Sequence, residues 1–314
     1  MIRVPDGFAA YAGRGPQWAD FVDSVPRLAA ELVDRWELRI DGEPRHGYCA
    51  VVVPVRTTDG EAAVLKMHVP DEASEHEHVA LRLWDGRGAV RLLRADPTRS
   101  ALLLERLSFR SLRSLPVLEA CEVIAQGYGR LHVPAPGRLR TLTSSVERWT
   151  AELDELPRDA PVPHRLVEQA ASVGRDLVAD AAAEGVVVHG DLHDENVLAA
   201  QREPWLVIDP QPTSGDPHYE PAPVLWNRWD EALAAHDLRA HLRARFFTLV
   251  DVAGLDEDRA KAWVLVRMVH QAVWAIQDVA RVRRGRAPLG SRGLSDDDRS
   301  WITRCITVAK AVQD

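Results

Sequence analysis

The sequence predicts an α+β fold of two lobes, a small antiparallel sheet followed by a mainly helical half. Three observations carry this reading. Alternating apolar residues fill 36–69 and return at 89–93 and 101–107, the period-2 signature of strands. From about residue 112 the apolar residues recur instead at helical spacing. A length of 314 residues suits about two domains. We place the boundary after residue 107. Residues 1–107 form an N-terminal lobe with an N-terminal extension, and residues 108–314 form a helical C-terminal lobe.

The elements follow in order. Trp36–Ile40 alternates and ends at Asp41-Gly42. Cys49, Val51, Val53 and Val55 make one face of the next strand, Thr58-Asp59-Gly60 marks a hairpin turn, and Ala62–Val69 returns. In that returning strand Val64 and Lys66 share a face, and Leu65 and Met67 share the other. A helix is expected over 71–85, with Asp71 as its cap and Gly86 as its stop. Short strands at 89–93 and 101–107 flank the turn Asp96-Pro97. In the second half, Val117, Cys121, Ile124, Tyr128 and Leu131 repeat at helical spacing, and Pro134 and Pro136 end that helix. Further helices are expected around 146–153 and over 164–184, 222–236, 239–252, 256–284 and 296–312. Short apolar runs at 186–188 and 205–208 read as strands, and the Arg/Gly/Pro-rich stretch 281–293 as a loop.

Composition narrows the function. Apolar residues make up 46% and charged residues 27%, a globular mix, so a disordered or collagen-like chain is excluded. The net charge of −8 lacks the basic stripe that nucleic-acid binding needs. The cysteines Cys49, Cys121 and Cys305 lie far apart with no CxxC, which supports neither a zinc ribbon nor a disulfide framework. No apolar run approaches the ~20 residues of a membrane helix, and the first residues do not read as a signal peptide. We expect a cytoplasmic protein with no nucleic-acid or membrane partner. The sequence assigns no oligomeric state.

The chemistry is concentrated in His189-Gly190-Asp191-Leu192-His193-Asp194-Glu195-Asn196, a polar loop between two apolar strands. Asp191 is placed to accept a hydroxyl proton. Asn196 offers a carbonyl oxygen, and Asp209, at the end of the following strand, a carboxylate. Such hard oxygen donors suit Mg²⁺, which binds through one or two protein groups together with phosphates. An Asp base with Asn and Asp metal ligands is the equipment of a kinase-like phosphoryl transferase. Upstream, Ala63-Val64-Leu65-Lys66 stands where such enzymes carry the lysine that reaches ATP phosphates. Val64, on the same face, can cover the adenine. A glutamate on the next helix should hold Lys66, with Glu77 better spaced and Glu75 second. Leu104-Glu105-Arg106-Leu107 reads as the strand joining the lobes. Backbone groups there, at Glu105 and Leu107, can bond the adenine edge. The phosphate loop is the weak element: Gly42 and Gly47 lie in its region, but no GxGxxG is present. A rival reading takes His189, Asp191, His193 and Asp194 as metal ligands of a hydrolase, although His218, His241 and His270 supply no matching spacing.

These residues resemble the aminoglycoside phosphotransferase superfamily, and more closely the family of streptomycin 6-phosphotransferases and hydroxyurea phosphotransferases. The matching stretches include Val4–Gly7, Asp34–Leu38, Val51–Val55, Gly88–Leu93 and Leu102–Leu107. The strongest is His193–Asp216, with REPWLVIDP at its centre, and the likeness extends to Val273–Asp278. It implies a protein-kinase-like fold and ATP- and Mg²⁺-dependent transfer of a phosphoryl group to a small-molecule hydroxyl. Streptomycin or a related aminoglycoside is the leading acceptor. The resemblance implies Asp191 as catalytic base, Asn196 and Asp209 as Mg²⁺ ligands, and Lys66 on the phosphates. The sequence departs from the family at Glu220, where an aspartate is usual, and in having no glycine after Asp209.

On the acceptor side the resemblance directs attention to the C-terminal helices. Gln271, Trp274 and Asp278 fall at i, i+3 and i+7 of one helix and share a face. Asp216 and Glu220, with Asp230, lie in segments expected to face the acceptor, where carboxylates would suit a guanidinium. Core packing is the competing account of Trp274, and a salt bridge to Arg267 or Arg281 that of Asp278. Hydroxyurea or another small metabolite is the alternative acceptor, and a non-catalytic nucleotide-binding protein the alternative class.

Overall fold

The computed structural model describes residues 2–282 and 294–313, and the side chains of 278–282 are not described. The chain divides into two compact units, residues 1–109 with 199–211, and residues 110–198 with 212–314.

The first unit opens with the helices α1 (Asp6–Ala9) and α2 (Pro16–Arg35), followed by β1 (Arg39–Ile40), β2 (Arg45–His46), β3 (Ala50–Arg56), β4 (Ala62–His68), α3 (Glu77–Trp84), β5 (Leu92–Asp96) and β6 (Ala101–Glu105). The antiparallel sheet runs β1-β3-β4-β6-β5, with β2 paired to β3. Register sets its two faces. Val51 pairs with Met67, Val53 with Leu65 and Val55 with Ala63, and all six side chains are buried. They pack with Phe21, Val22, Val25, Ala29 and Leu32 of α2. Those five recur at helical spacing, so α2 has an apolar stripe, an element absent from the expectations above. On the other face Lys66 lies between Val52 and Leu102, and Val64 between Pro54 and Leu104.

Helix α3 starts six residues later than expected. Asp71 caps a turn instead, its Oδ1 accepting from the Ser74 amide at 2.7 Å, and residues 72–76 are turns. The segment 199–211 joins this unit through backbone. The Val90 amide donates to the Val207 carbonyl at 2.9 Å, and the Val207 amide to Gly88 at 3.0 Å.

The second unit contains α4 (Val117–Leu131), α5 (Leu142–Asp154), α6 (His164–Val178), α7 (Ala222–Trp226), α8 (Trp229–Ala234), α9 (Leu238–Ala253), α10 (Glu257–Val282) and α11 (Asp296–Gln313). The helix expected over 222–236 is broken in two, because Arg228 takes a left-handed φ of 50° between α7 and α8. The core gathers Phe246 and Val250 of α9, Met268 and Ala272 of α10, and Val308 and Val312 of α11. Of the loop expected at 281–293, residues 283–293 lie outside the described residues. The strand Val186–Val188 pairs with Thr213–Gly215, and the catalytic-loop candidate follows it directly. No helix among the described residues is long and apolar enough to cross a membrane.

Candidate active site

In the first unit Lys66 is the centre of a buried ion cluster. Its Nζ lies 2.7 Å from both carboxylate oxygens of Glu77 and 2.5 Å from Asp209 Oδ1. Glu77 is 1% exposed and Lys66 7%. Burial alone would favour a neutral lysine, but the adjacent Asp209 and Glu77 outweigh it and raise the lysine pKa, so the ammonium persists. Burial pushes the Glu77 carboxyl up to about 7, and the attraction of Lys66 offsets only part of that shift. Glu75, the second candidate for this pairing, sits in the turn before α3, mostly exposed, 3.9 Å from His76.

Asp209 itself has a left-handed φ of 58°. Aspartate tolerates that region better than most residues, so no glycine is needed at this corner. Its side chain remains about half exposed, 53%. Glu105 is half-buried and committed elsewhere: its carboxylate accepts from Arg202 at 2.6 Å and from the Arg91 amide at 2.8 Å. The Glu105 amide is also used, donating to the Arg91 carbonyl at 3.1 Å. Val64 and Leu107 are half-buried.

In the second unit, the loop after Val186–Val188 is held by hydrogen bonds to its own backbone. Gly190 has φ 81°, which favours glycine. The Asp191 amide donates to His189 Nδ1 at 3.1 Å. Asn196 Nδ2 donates to the Asp191 carbonyl at 2.8 Å, which commits the amide nitrogen and leaves Oδ1 as the side chain's acceptor. Asn196 is buried and Asp191 half-buried.

Two residues brace this loop that sequence reasoning did not assign to it. Glu220, fully buried, accepts from the His189 amide at 2.5 Å and the Gly190 amide at 3.3 Å, with His132 Nε2 at 3.5 Å. Burial would raise its pKa, but His132, His189 and the backbone amide together hold it below the ordinary carboxylate value. Arg267, buried on α10, donates to the Gly190 carbonyl and, at 3.3 Å, to the Tyr219 carbonyl. Its guanidinium lies 4.2 Å from the Tyr219 ring centre. An arginine inside the run Trp263-Val264-Leu265-Val266-Arg267-Met268 was the available signal, since a core helix seldom buries an arginine unless it is paired.

Asp216 is 1% exposed, and its carboxylate is saturated by the His218 ring at 2.6 Å, the His218 amide at 3.0 Å, Arg259 Nε at 2.5 Å and Trp263 Nε1 at 2.7 Å. Burial opposes its ionisation, yet these bonds bring its pKa down to about 2. Asp216 and Glu220 each satisfy buried donors of their own unit. Asp230 is exposed and paired with Arg113 at 3.1 Å. Gln271 is half-exposed and Trp274 is 42% exposed, so Trp274 is not core. Asp278 lies on α10, but its side chain is outside the described residues. Among the described residues no three His, Cys, Asp or Glu side chains gather as a metal-binding group, so the hydrolase ligand set does not assemble.

The brace can be tested directly. Glu220→Gln removes the charge that faces two buried amides, an unmet need worth about 1–3 kcal/mol. We expect turnover to fall by roughly ten- to a hundredfold with ATP affinity close to wild type. Glu220→Asp should restore part of the rate. If Glu220→Gln lowers only the melting temperature and leaves turnover intact, Glu220 does not position the loop.

Residues 35–279 match the aminoglycoside/hydroxyurea antibiotic resistance kinase family. The streptomycin 6-kinase of Streptomyces glaucescens is 40% identical over 288 residues, covering 88% of this chain and 92% of that protein. The hydroxyurea phosphotransferase of Kitasatospora aureofaciens is 39% identical over 306 residues, covering 91% and 85%. Among solved structures, a choline/ethanolamine kinase family protein of Mesorhizobium loti superposes with a TM-score of 0.60 at 14% identity, covering 98% of this chain and 94% of that one. At that identity the likeness concerns the fold, and the fold is the α+β, protein-kinase-like one expected from the sequence.

Proposed function

The chain belongs to the aminoglycoside/hydroxyurea antibiotic resistance kinase family, and on that premise we propose that it transfers the γ-phosphoryl group of ATP to a hydroxyl of streptomycin or a related aminoglycoside. Phosphorylation of a small-molecule hydroxyl in antibiotic resistance is the activity of the family. A kinase implies a nucleoside triphosphate and a divalent cation, and we take these to be ATP and Mg²⁺. We place the enzyme in the cytoplasm, where ATP is available. Its partner is the small-molecule acceptor, and it binds neither nucleic acid nor membrane.

The observation that carries the reading is the Lys66–Glu77–Asp209 cluster. An ammonium buried on a sheet face and clamped by Glu77 is a fixed positive charge ready for phosphate oxygens. Asp209 in the first unit, and the Oδ1 of Asn196 in the second, are each the kind of hard oxygen donor that Mg²⁺ takes. When bound, that ion supplies charge neutralisation and orientation of the phosphates. Val64 covers the adenine. The Glu105 carbonyl and the Leu107 amide bond its edge, because the Glu105 amide is already committed. Asp191, on the braced loop, accepts the proton of the acceptor hydroxyl. The hydroxyl oxygen bonds to the γ-phosphorus, the bond from that phosphorus to the β,γ-bridging oxygen breaks, and ADP leaves. Residues 1–107 thus form the nucleotide lobe, and residues 108–314 carry the catalytic loop and the acceptor site. We assign Gln271 and Trp274 of α10, with Asp278 by its spacing in the sequence, to the acceptor. An exposed Trp274 suits stacking on a guanidinium plane.

One observation favours the second acceptor, hydroxyurea. With Asp216 and Glu220 sequestered, fewer carboxylates remain to offset a cationic sugar. The test is to incubate the protein with ATP, Mg²⁺ and a panel of aminoglycosides together with hydroxyurea, and to read a mass gain of about 80 dalton, one phosphoryl group. We expect the gain on streptomycin. A gain on hydroxyurea alone moves the assignment to the second acceptor, and no gain on any member overturns both.

A further inference from the structure

The sequence has no GxGxxG, and the kinase reading puts the phosphate loop at the tip between β2 and β3. Tyr48 and Cys49 form a two-residue tip between β2 and β3, closed by the Gly47 amide donating to the Ala50 carbonyl at 2.9 Å. Ala50, the first residue after the tip, lies two register steps from Val52, which pairs with Lys66, a distance of about 7 Å along the strand. Such a tip can present backbone amides to an anion, but it carries no charge of its own.

A charge arrives from the N-terminal segment. Arg14 ends the short 3₁₀ turn Ala10–Arg14. Its guanidinium carbon lies 3.6 Å from the ring centre of Tyr11, 4.3 Å from that of Tyr48 and 4.9 Å from that of Trp18. Tyr48 is 64% exposed, so this cage stands at the surface of the tip. Aromatic faces hold a guanidinium by its charge, but they accept none of its in-plane N–H bonds as a carboxylate or phosphate would. Arg14 Nη1 is shielded from water and has no acceptor among the described residues. An orphaned N–H of a cation is costly, and a small turn of the guanidinium toward the tip would bring it to an anionic oxygen. Cys49 of the tip also feels the Lys66 ammonium, the cation that the ATP-dependent reading puts on the phosphates. Burial pushes the Cys49 thiol up to about 12, and Asp71, Asp209, Lys66 and Arg14 all act on it electrostatically.

We propose that Arg14 is a nucleotide-binding residue, which donates from its caged guanidinium to phosphate oxygens of the nucleotide held at the Tyr48–Cys49 tip. The N-terminal segment thereby takes part in the nucleotide site, and Arg14 and Lys66 share the triphosphate charge. This inference rests on the ATP-dependent reading above. A purely structural cage, tying residues 6–18 to the hairpin, is the competing account, and the two differ in what they do to charged and uncharged ligands.

The test titrates ATP and, separately, adenosine into the full-length protein with Mg²⁺ and no acceptor, by calorimetry. Arg14→Gln should weaken ATP by at least about tenfold, the loss of one charge-assisted contact, and leave adenosine within twofold. Arg14→Lys keeps the charge without the planar fork and should recover part of the ATP affinity. If Arg14→Gln fails to fold, Arg14→Lys carries the test alone, with ATP weakened severalfold and adenosine unchanged. ATP affinity equal to wild type in the folded variants, or equal losses for ATP and adenosine, overturns the inference. Failure of the wild-type protein to bind ATP overturns the kinase reading along with it, whereas wild-type binding matched by Arg14→Gln removes this inference alone.

Discussion

Asp191→Asn should lower turnover by about 10²–10⁴-fold, the usual contribution of a positioned general base, while ATP binding stays near wild type. Asparagine keeps the shape of aspartate but cannot accept the hydroxyl proton. Two of the bonds that shape the loop at this residue use its backbone: its amide donates to His189 and its carbonyl accepts from Asn196. Those bonds survive the substitution, as do the Glu220 bonds to His189 and Gly190. The loss should therefore be chemical, seen in kcat at saturating ATP and acceptor, with the calorimetric Kd for ATP unchanged. Turnover within threefold of wild type would remove Asp191 as the base.

What could be read from the sequence was set by how local each signal is. The β3–β4 hairpin follows from alternation and a turn at Asp59-Gly60, and its register then fixes the face on which Lys66 and Val64 stand. The pairing of Lys66 with Glu77 spans eleven residues, short enough for strand and helix spacing to suggest it. Glu220 reaches His189 over thirty-one residues. Its role depends on which backbone amides lack partners, and spacing carries no such information. A carboxylate in a polar segment reads as a ligand for a cationic substrate, yet Asp216 and Glu220 answer donors of their own fold. Arg14 was hidden for a related reason. Its cage draws Tyr11 from the N-terminal turn, Trp18 from α2 and Tyr48 from a hairpin, three elements that no local spacing connects.

Lys66→Ala should cost on the order of 10²-fold in turnover, as expected when a phosphoryl group loses a positioning contact, and should weaken ATP binding as well. It should also change how stability depends on pH, through Glu77. In the native protein burial already raises the Glu77 carboxyl from 4.5 to about 7, with Lys66 restraining the shift. Removing the ammonium leaves a buried carboxylate beside Asp209 with no counter-charge, and its pKa rises further. A group whose folded pKa exceeds its unfolded one holds a proton that the unfolded chain has released. Stability therefore falls as pH rises from the unfolded value through the folded one. For the wild-type Glu77 that window runs from 4.5 to about 7, and in Lys66→Ala it extends to higher pH. The melting temperature of the variant should thus drop more steeply than that of wild type between about pH 6 and about pH 9. Adding Glu77→Gln to Lys66→Ala should flatten the curve, because the titrating group is gone, without restoring turnover. Parallel melting curves for wild type and Lys66→Ala would mean that Lys66 does not govern the ionisation of Glu77. Unchanged turnover would remove Lys66 from the nucleotide site altogether.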